Sequence, residues 1–134
     1  MKPDIWGPHA WIFLHSVTMD YPHNPTEKDK ENMINFIFYL GKVLPCEKCR
    51  RNFQMHLEKN PLNSKALSSK DSLVKWMIDI HNCVNDTKKC KKITHDEGIR
   101  KILEHYENKS INYIYILTVV IILFLVILGY MFLQ

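Results

Sequence analysis

A chain of 134 residues with a net charge of +4 is long enough for one water-soluble domain. Its lysine cluster, Lys88 to Lys92, lacks aromatic or glycine interleaving and so favours a solvated face, or one that meets phosphate or anionic lipid, over a nucleic-acid patch. No charge occurs from Ile111 to Leu133, which as a helix rises about 34 Å against a hydrocarbon core of about 30 Å, so this stretch is expected to cross a membrane. Met1-Lys2-Pro3-Asp4 opens without an apolar leader, so no signal peptide is expected.

Before the span the chain reads as helices. Trp6 to Asp20 carries Trp6, Ala10, Phe13 and Trp11, Leu14, Val17 at intervals of three and four, and Tyr21-Pro22-His23-Asn24-Pro25 stops it. Thr26 offers an N-cap for a second helix through Met33, Phe36, Ile37 and Leu40 to about Val43, with Gly41 and Pro45 bracketing its end. A third helix opens at Cys46-x-x-Cys49 and runs to about Lys59, where Asn60-Pro61 breaks it. Ser68-x-x-Asp71 resembles a capping box for a fourth helix with Leu73, Trp76, Met77, Ile80 and Val84 on one face. Residues 86–92 are polar and irregular, and Thr94-x-x-Glu97 caps a short fifth helix.

Nothing alternates in the manner of a strand. The expected class is all-α: a four-helix bundle with a short fifth helix, followed by a C-terminal transmembrane helix, with domain limits at 1–108 and 109–134. Lys88, Lys89, Lys91, Lys92, Arg100, Lys101 and Lys109 all precede the span. The positive-inside rule then predicts a tail-anchored, single-pass protein whose folded domain faces the cytosol. Asn85-Asp86-Thr87 and Asn108-Lys109-Ser110 are formal glycosylation acceptors, and a glycan on either is incompatible with that topology.

Cys46 and Cys49 lie where a helix begins. Unpaired N–H groups and the positive end of the helix dipole stabilise a thiolate there, which suits a redox dithiol or a zinc knuckle, and inert packing is the third reading. The lack of βαβ units weighs against a thioredoxin-like domain, which needs them around its Cys-x-x-Cys. A dithiol in a helical domain needs somewhere to send electrons. Trp11 and His15 share one face of the first helix, and His81 and Asn85, with Asn82 and Trp76 nearby, share one face of the fourth, so two faces are available to hold a flat aromatic ligand. Taken singly, each Trp also fits an ordinary core and each His a locally satisfied group.

The ordered set Gly7-x-x-x-Trp11-x-x-Leu14-His15, Tyr21-Pro22, Pro45-Cys46-x-x-Cys49, Trp76 and His81-Asn82-x-Val84-Asn85 resembles the Erv/ALR family of FAD-linked sulfhydryl oxidases over about residues 6 to 92. The resemblance implies a helical bundle that binds FAD and works as a homodimer. It makes Cys46 and Cys49 catalytic, with Cys49 beside the flavin and Cys46 meeting the incoming dithiol. Gly7, Trp11, His15, Trp76, His81, Asn82, Val84 and Asn85 fall at cofactor-binding positions, together with a lysine from the following loop, Lys88, Lys89 or Lys91. Electrons then pass from protein thiols to oxygen with release of hydrogen peroxide.

The chain departs from the family pattern in three places. Pro8-His9 stand where many relatives have arginine. The cysteine expected near Ile78 for a structural clamp is missing, while Cys83 and Cys90 are extra; they suit a local disulfide that replaces the clamp, a shuttle pair, or two unpaired thiols. The chain also begins almost at the bundle, so a separate small redox carrier protein is the expected partner. Compact membrane-anchored members of large DNA viruses are the nearest kind, which adds a virion membrane as a location. A zinc site of Cys46, Cys49, Cys83 and Cys90 on a membrane-tethered adaptor is the competing reading, and it leaves the Trp and His pattern unexplained.

Overall fold

The computed structural model describes residues 1–132. Leu133 and Gln134, at the end of the predicted span, lie outside the described residues, as do the side chains of 132 and of 108–112, the latter including one glycosylation acceptor. Five helices follow one another: α1 (Pro3–Met19), α2 (Glu27–Val43), α3 (Glu47–Lys59), α4 (Lys70–Thr87) and α5 (His95–Phe132). No strand occurs among the described residues. The chain divides into two compact units after Ile99.

The first unit is the bundle. α1 starts at Pro3, earlier than Trp6, because proline suits the first helical position, where its missing N–H has no partner to lose. Thr26 caps α2 as expected: Thr26 Oγ1 accepts from Asp29 N at 3.2 Å, while the Asp29 carboxylate accepts from Thr26 N at 2.8 Å. α2 ends at Val43 because Leu44 is extended ahead of Pro45. Gly41 is not a terminator. It lies buried inside α2, where an added Cβ would meet the Phe53 ring at 3.2 Å, so it lets α2 and α3 approach closely. The cap of α4 is Ser69 rather than Ser68: Ser69 Oγ accepts from Ser72 N at 3.2 Å.

α1 and α3 both pack on α4, and α2 packs on α3. α4 therefore carries the core: Leu73, Met77 and Ile80 are each at most 1% exposed, joined by Leu14 and Tyr21, Met33 and Ile37, and Phe53. Its polar atoms are matched. Trp76 Nε1 donates to Asn60 O at 3.1 Å and Tyr21 Oη to Leu67 O at 3.2 Å.

At its far end α4 stops in a Schellman turn, with Cys90 N donating to Asn85 O at 2.8 Å and Lys89 N to Asp86 O at 3.0 Å. Lys89 takes the left-handed position at φ 57°, which glycine usually fills. The segment after the turn is held back against α4 by Asn82, whose Nδ2 donates to Ile93 O at 2.8 Å and whose Oδ1 accepts from Ile93 N at 2.9 Å. The Thr94–Glu97 capping box forms as expected. Gly98 then lies so close to Ile78 that a Cβ would meet its Cδ1 at 2.8 Å. Tight packing at Ile78 thus stands where the family pattern calls for a clamping cysteine.

The expected short fifth helix and the apolar segment are continuous in α5. Tyr113–Met131 has a mean hydropathy of 2.8 and none of it is buried, so among the described residues one helix is long and apolar enough to cross a membrane.

Candidate active site

The dithiol sits where the helix-start argument places it. Cys46 is the N-cap of α3, in extended backbone, and Cys49 is the third residue of its first turn. The two are disulfide-bonded, with Cα atoms 5.1 Å apart. Cys46 Sγ also accepts from Cys49 N at 3.2 Å, so the sulfur does the capping that serine or threonine does elsewhere. Arg50 fixes the approach to the helix, its guanidinium donating to Leu44 O at 2.6 Å.

Both cysteines open on a cavity of about 330 Å³ between α1, α3 and the end of α4. Gly7 and Trp11 line it from α1, Phe53 and His56 from α3, and Val84 and Lys88 from α4. The Gly7 position faces open space, with nothing within 4 Å of an added Cβ. The volume is at the small end for a ligand site and takes a flat ring system. Trp6 also lines the cavity, and its Nε1 is buried without a hydrogen-bond partner among the described residues. An aromatic wall, open backbone at Gly7 and an adjacent disulfide fit a redox-active ring ligand.

Behind Trp11 the structure builds an aromatic stack. The His81 ring lies parallel to Trp11, with centroids 3.9 Å apart and planes within 7°. His15 Nε2 and His81 Nδ1 are 3.0 Å apart and share one proton between them. Burial pulls the His15 pKa down from 6.5 to about 4, which keeps that ring neutral. The His56 pKa is also lowered, first by burial and then by the nearby Lys59 charge.

The predicted residues therefore separate. Gly7, Trp11, Val84, Cys46 and Cys49 meet at the cavity, with His15 and His81 behind Trp11. Trp76 belongs to the core, Asn82 spends its amide on Ile93, and the Asn85 carbonyl serves the Schellman turn. Of the loop lysines, Lys88 reaches the cavity, its ammonium paired to Asp4 Oδ1 at 2.9 Å, whereas Lys89 and Lys91 are exposed and do not line it. The difference comes from the turn. Lys88 is the C-cap, still on the helix, and Lys89 is the residue at which the backbone reverses.

Cys83 and Cys90 are both free, so the local disulfide is not formed. Cys83 lies one turn inside α4 and accepts from Asn60 Nδ2 at 3.3 Å, while Cys90 follows the turn with its thiol toward Lys88 O. No three His, Cys, Asp or Glu side chains converge among the described residues, so the four-cysteine zinc site has no counterpart in this geometry. Sequence reasoning missed Trp6, Phe53, His56 and Thr87 as cavity residues. Phe53 and His56 carried a legible signal, since they lie four and seven positions after Cys49 on one helical face.

A helical bundle that holds a disulfide at a helix start beside a ring-sized aromatic cavity is a thiol-redox protein by construction. The profile of the Erv1 / Alr family matches residues 8–107, and the chain belongs to that family. It is 44% identical over 119 residues to a probable FAD-linked sulfhydryl oxidase of Acanthamoeba polyphaga mimivirus, covering 87% of this chain and 83% of that one. It is 32% identical over 108 residues to an FAD-linked sulfhydryl oxidase of African swine fever virus, covering 81% of this chain and 87% of the viral one. The mitochondrial FAD-linked sulfhydryl oxidase of Saccharomyces cerevisiae is 34% identical over 92 residues, which are 67% of this chain but only 46% of the yeast protein. Thus the chain spans about half of that cellular relative. The crystal structure of the FAD binding domain of Erv1 from S. cerevisiae superposes with a TM-score of 0.69 at 28% identity, over 75% of this chain and 93% of that domain.

Proposed function

We propose that Cys46 and Cys49 take electrons from protein dithiols and that the ligand of the adjoining cavity is FAD. The chain is an FAD-linked sulfhydryl oxidase, and the observation that carries this is the disulfide opening on the aromatic cavity. Bound FAD supplies the chemistry that the side chains lack, accepting the two electrons of a dithiol and giving them to dioxygen with release of hydrogen peroxide.

The protein's own part is thiol exchange. A client thiolate attacks Cys46 Sγ, the Cys46–Cys49 bond breaks, and Cys49 leaves as a thiolate near the N–H groups of the first turn of α3. The client's second thiolate then attacks its own sulfur in the mixed disulfide and releases Cys46. That leaving thiolate is stabilised by Cys49 N–H, which already points at Sγ. The client gains a disulfide, the enzyme holds two thiolates, and two protons go to solvent.

Gly7, Trp11 and Val84 meet the cofactor, with His15 and His81 fixing the Trp11 ring. Lys88 is the lysine best placed for its phosphates. The enzyme domain is residues 1–108 and the anchor 109–134, with the basic flank keeping the bundle on the cytosolic side of a cellular or virion membrane. Exposed Phe13 on α1 and Ile34 and Phe38 on α2 support a homodimer through these helices, since apolar residues grouped on neighbouring helices favour a partner. A small redox carrier protein is the proposed client.

Purification of the full chain in detergent tests the central reading. One FAD per chain, and one hydrogen peroxide released per client disulfide formed, are expected. A colourless chain that gains no flavin on reconstitution sinks it. Glycan attachment at Asn85 in cells overturns the cytosolic topology alone.

A further inference from the structure

We propose that Arg50 is a positioning residue for the redox pair, holding Cys46 beside Cys49 while their disulfide is open. The inference rests on the reading of Cys46 and Cys49 as the pair that accepts electrons, and not on the identity of the cavity ligand. Arg50 is the fourth residue of α3, and its guanidinium reaches back six positions to donate to Leu44 O at 2.6 Å. The same carbonyl accepts from Cys46 N at 2.8 Å, which closes a three-residue turn with Pro45 at its centre. One carbonyl thus joins the turn that carries Cys46 to the helix that carries Cys49.

A long cationic side chain usually extends into water, and this close to a helix N-terminus it gains nothing from the dipole. Arg51 is spent on Glu47, whereas Arg50 is half-buried and forms no ion pair among the described residues, so its charged donor goes to the carbonyl. The redox cycle gives this bond its role. In the oxidised chain a covalent bond ties Cys46 to the first turn of α3. Once a client dithiol has broken it, hydrogen bonds alone hold Cys46: Cys49 N to Sγ, Arg50 N to Cys46 O at 3.0 Å, and the guanidinium to Leu44 O. The last is the side-chain tie, and it grips the turn from the far side of Pro45. Reclosing joins the two thiolate sulfurs as a disulfide and passes two electrons to the acceptor. The disulfide and the guanidinium bond favour the same geometry, so each strengthens the other. Loss of Arg50 therefore weakens the disulfide relative to the dithiol.

Equilibration of the full chain in detergent with glutathione buffers, without oxygen, tests this. Glutathione disulfide takes two electrons and two protons and becomes two glutathiones as the Cys46–Cys49 bond forms, and alkylation followed by mass spectrometry reads the oxidised fraction. Arg50→Met keeps an unbranched, helix-forming stem and removes the donor. Its equilibrium constant for disulfide formation should fall about five- to tenfold, the effect of one hydrogen bond. A tenfold fall is about 30 mV in the two-electron potential. Arg50→Lys, which leaves one long-armed donor, should lie between Arg50→Met and wild type. An unchanged constant in Arg50→Met overturns the inference, since a merely structural bond is lost equally from both redox forms. A higher constant also overturns it, because that is the sign expected if the guanidinium charge acts on the thiolates instead. A second measurement needs no variant. The Cys46 amide, bonded to Leu44 O, should keep its protection from hydrogen exchange after the wild-type disulfide is reduced, and loss of that protection overturns the inference. Wild-type Cys46 and Cys49 that do not exchange with glutathione at all remove the reading of the pair as redox-active, and the inference with it.

Discussion

The two ends of α4 meet different demands. Toward its start, Leu73, Met77 and Ile80 are at most 1% exposed and Trp76 has its N–H paired, so this end is dry, filled and satisfied. Toward its finish, His81 stacks on Trp11 and is hydrogen-bonded to His15, while Val84 and Lys88 face the cavity. Stability is concentrated at one end and ligand capacity at the other. The bundle can leave a cavity open at one end because its core is complete elsewhere.

The sharpest separation comes from the sulfurs. Cys49→Ser should lower thiol oxidation by about 1000-fold or more, because it removes a reacting atom, while helicity by circular dichroism stays at wild type. At the core end the signs reverse. Ile80→Ala should cost about 2–5 kcal/mol in urea unfolding and leave the flavin spectrum of the folded fraction unchanged. A loss of flavin binding at equal folded fraction would show that the two ends are not separable.

Acid tests the boundary between them. His15 is held near pKa 4 against 6.5 in the unfolded chain, so between those values the unfolded state binds a proton that the fold does not. His15 therefore leaves stability flat above about pH 6.5 and lowers it as pH falls toward 4, by up to about 3 kcal/mol. His56, also held neutral by burial, acts in the same direction. Urea unfolding at a series of pH values should show this slope, and His15→Gln should flatten it.

Two smaller effects probe how the far end of α4 is held. Gly98→Ala drives a methyl group into Ile78, which is 1% exposed and has little room to move, so a loss of about 1–3 kcal/mol is expected by thermal unfolding. Lys89→Gly relieves the left-handed backbone at φ 57° and should stabilise by about 0.5–1 kcal/mol without altering activity.

The helices were largely legible because their punctuation is local. Thr26, Pro45 with Cys46, and Thr94 with Glu97 announce their ends through contacts spanning only a few residues. Gly41 was misread as a stop because its role depends on Phe53 across the α2–α3 contact, which no local pattern reveals. In the site, Cys46, Cys49 and Trp11 stand out through chemistry and spacing. Asn82 stands out through the motif it shares with His81, but the bond of its amide to Ile93, eleven positions on, is a long-range feature that no local pattern announces. The unpaired N–H of Trp6 was likewise invisible, since whether an indole N–H finds a partner is decided by packing and not by sequence. Cys83 and Cys90 could not be assigned from sequence for a related reason: a seven-residue spacing permits a bridge, whereas in this structure both thiols are free, with different neighbours on either side of the Schellman turn.

The most direct test of the central claim is to mix the oxidised, flavin-loaded full chain with dithiothreitol in the absence of oxygen and follow the flavin band at roughly 450 nm. Rapid bleaching in wild type, lost in both Cys46→Ser and Cys49→Ser and reversed in wild type by air, is the predicted result. Bleaching at the wild-type rate in Cys49→Ser would mean that electrons reach the flavin without this disulfide, and would contradict the account.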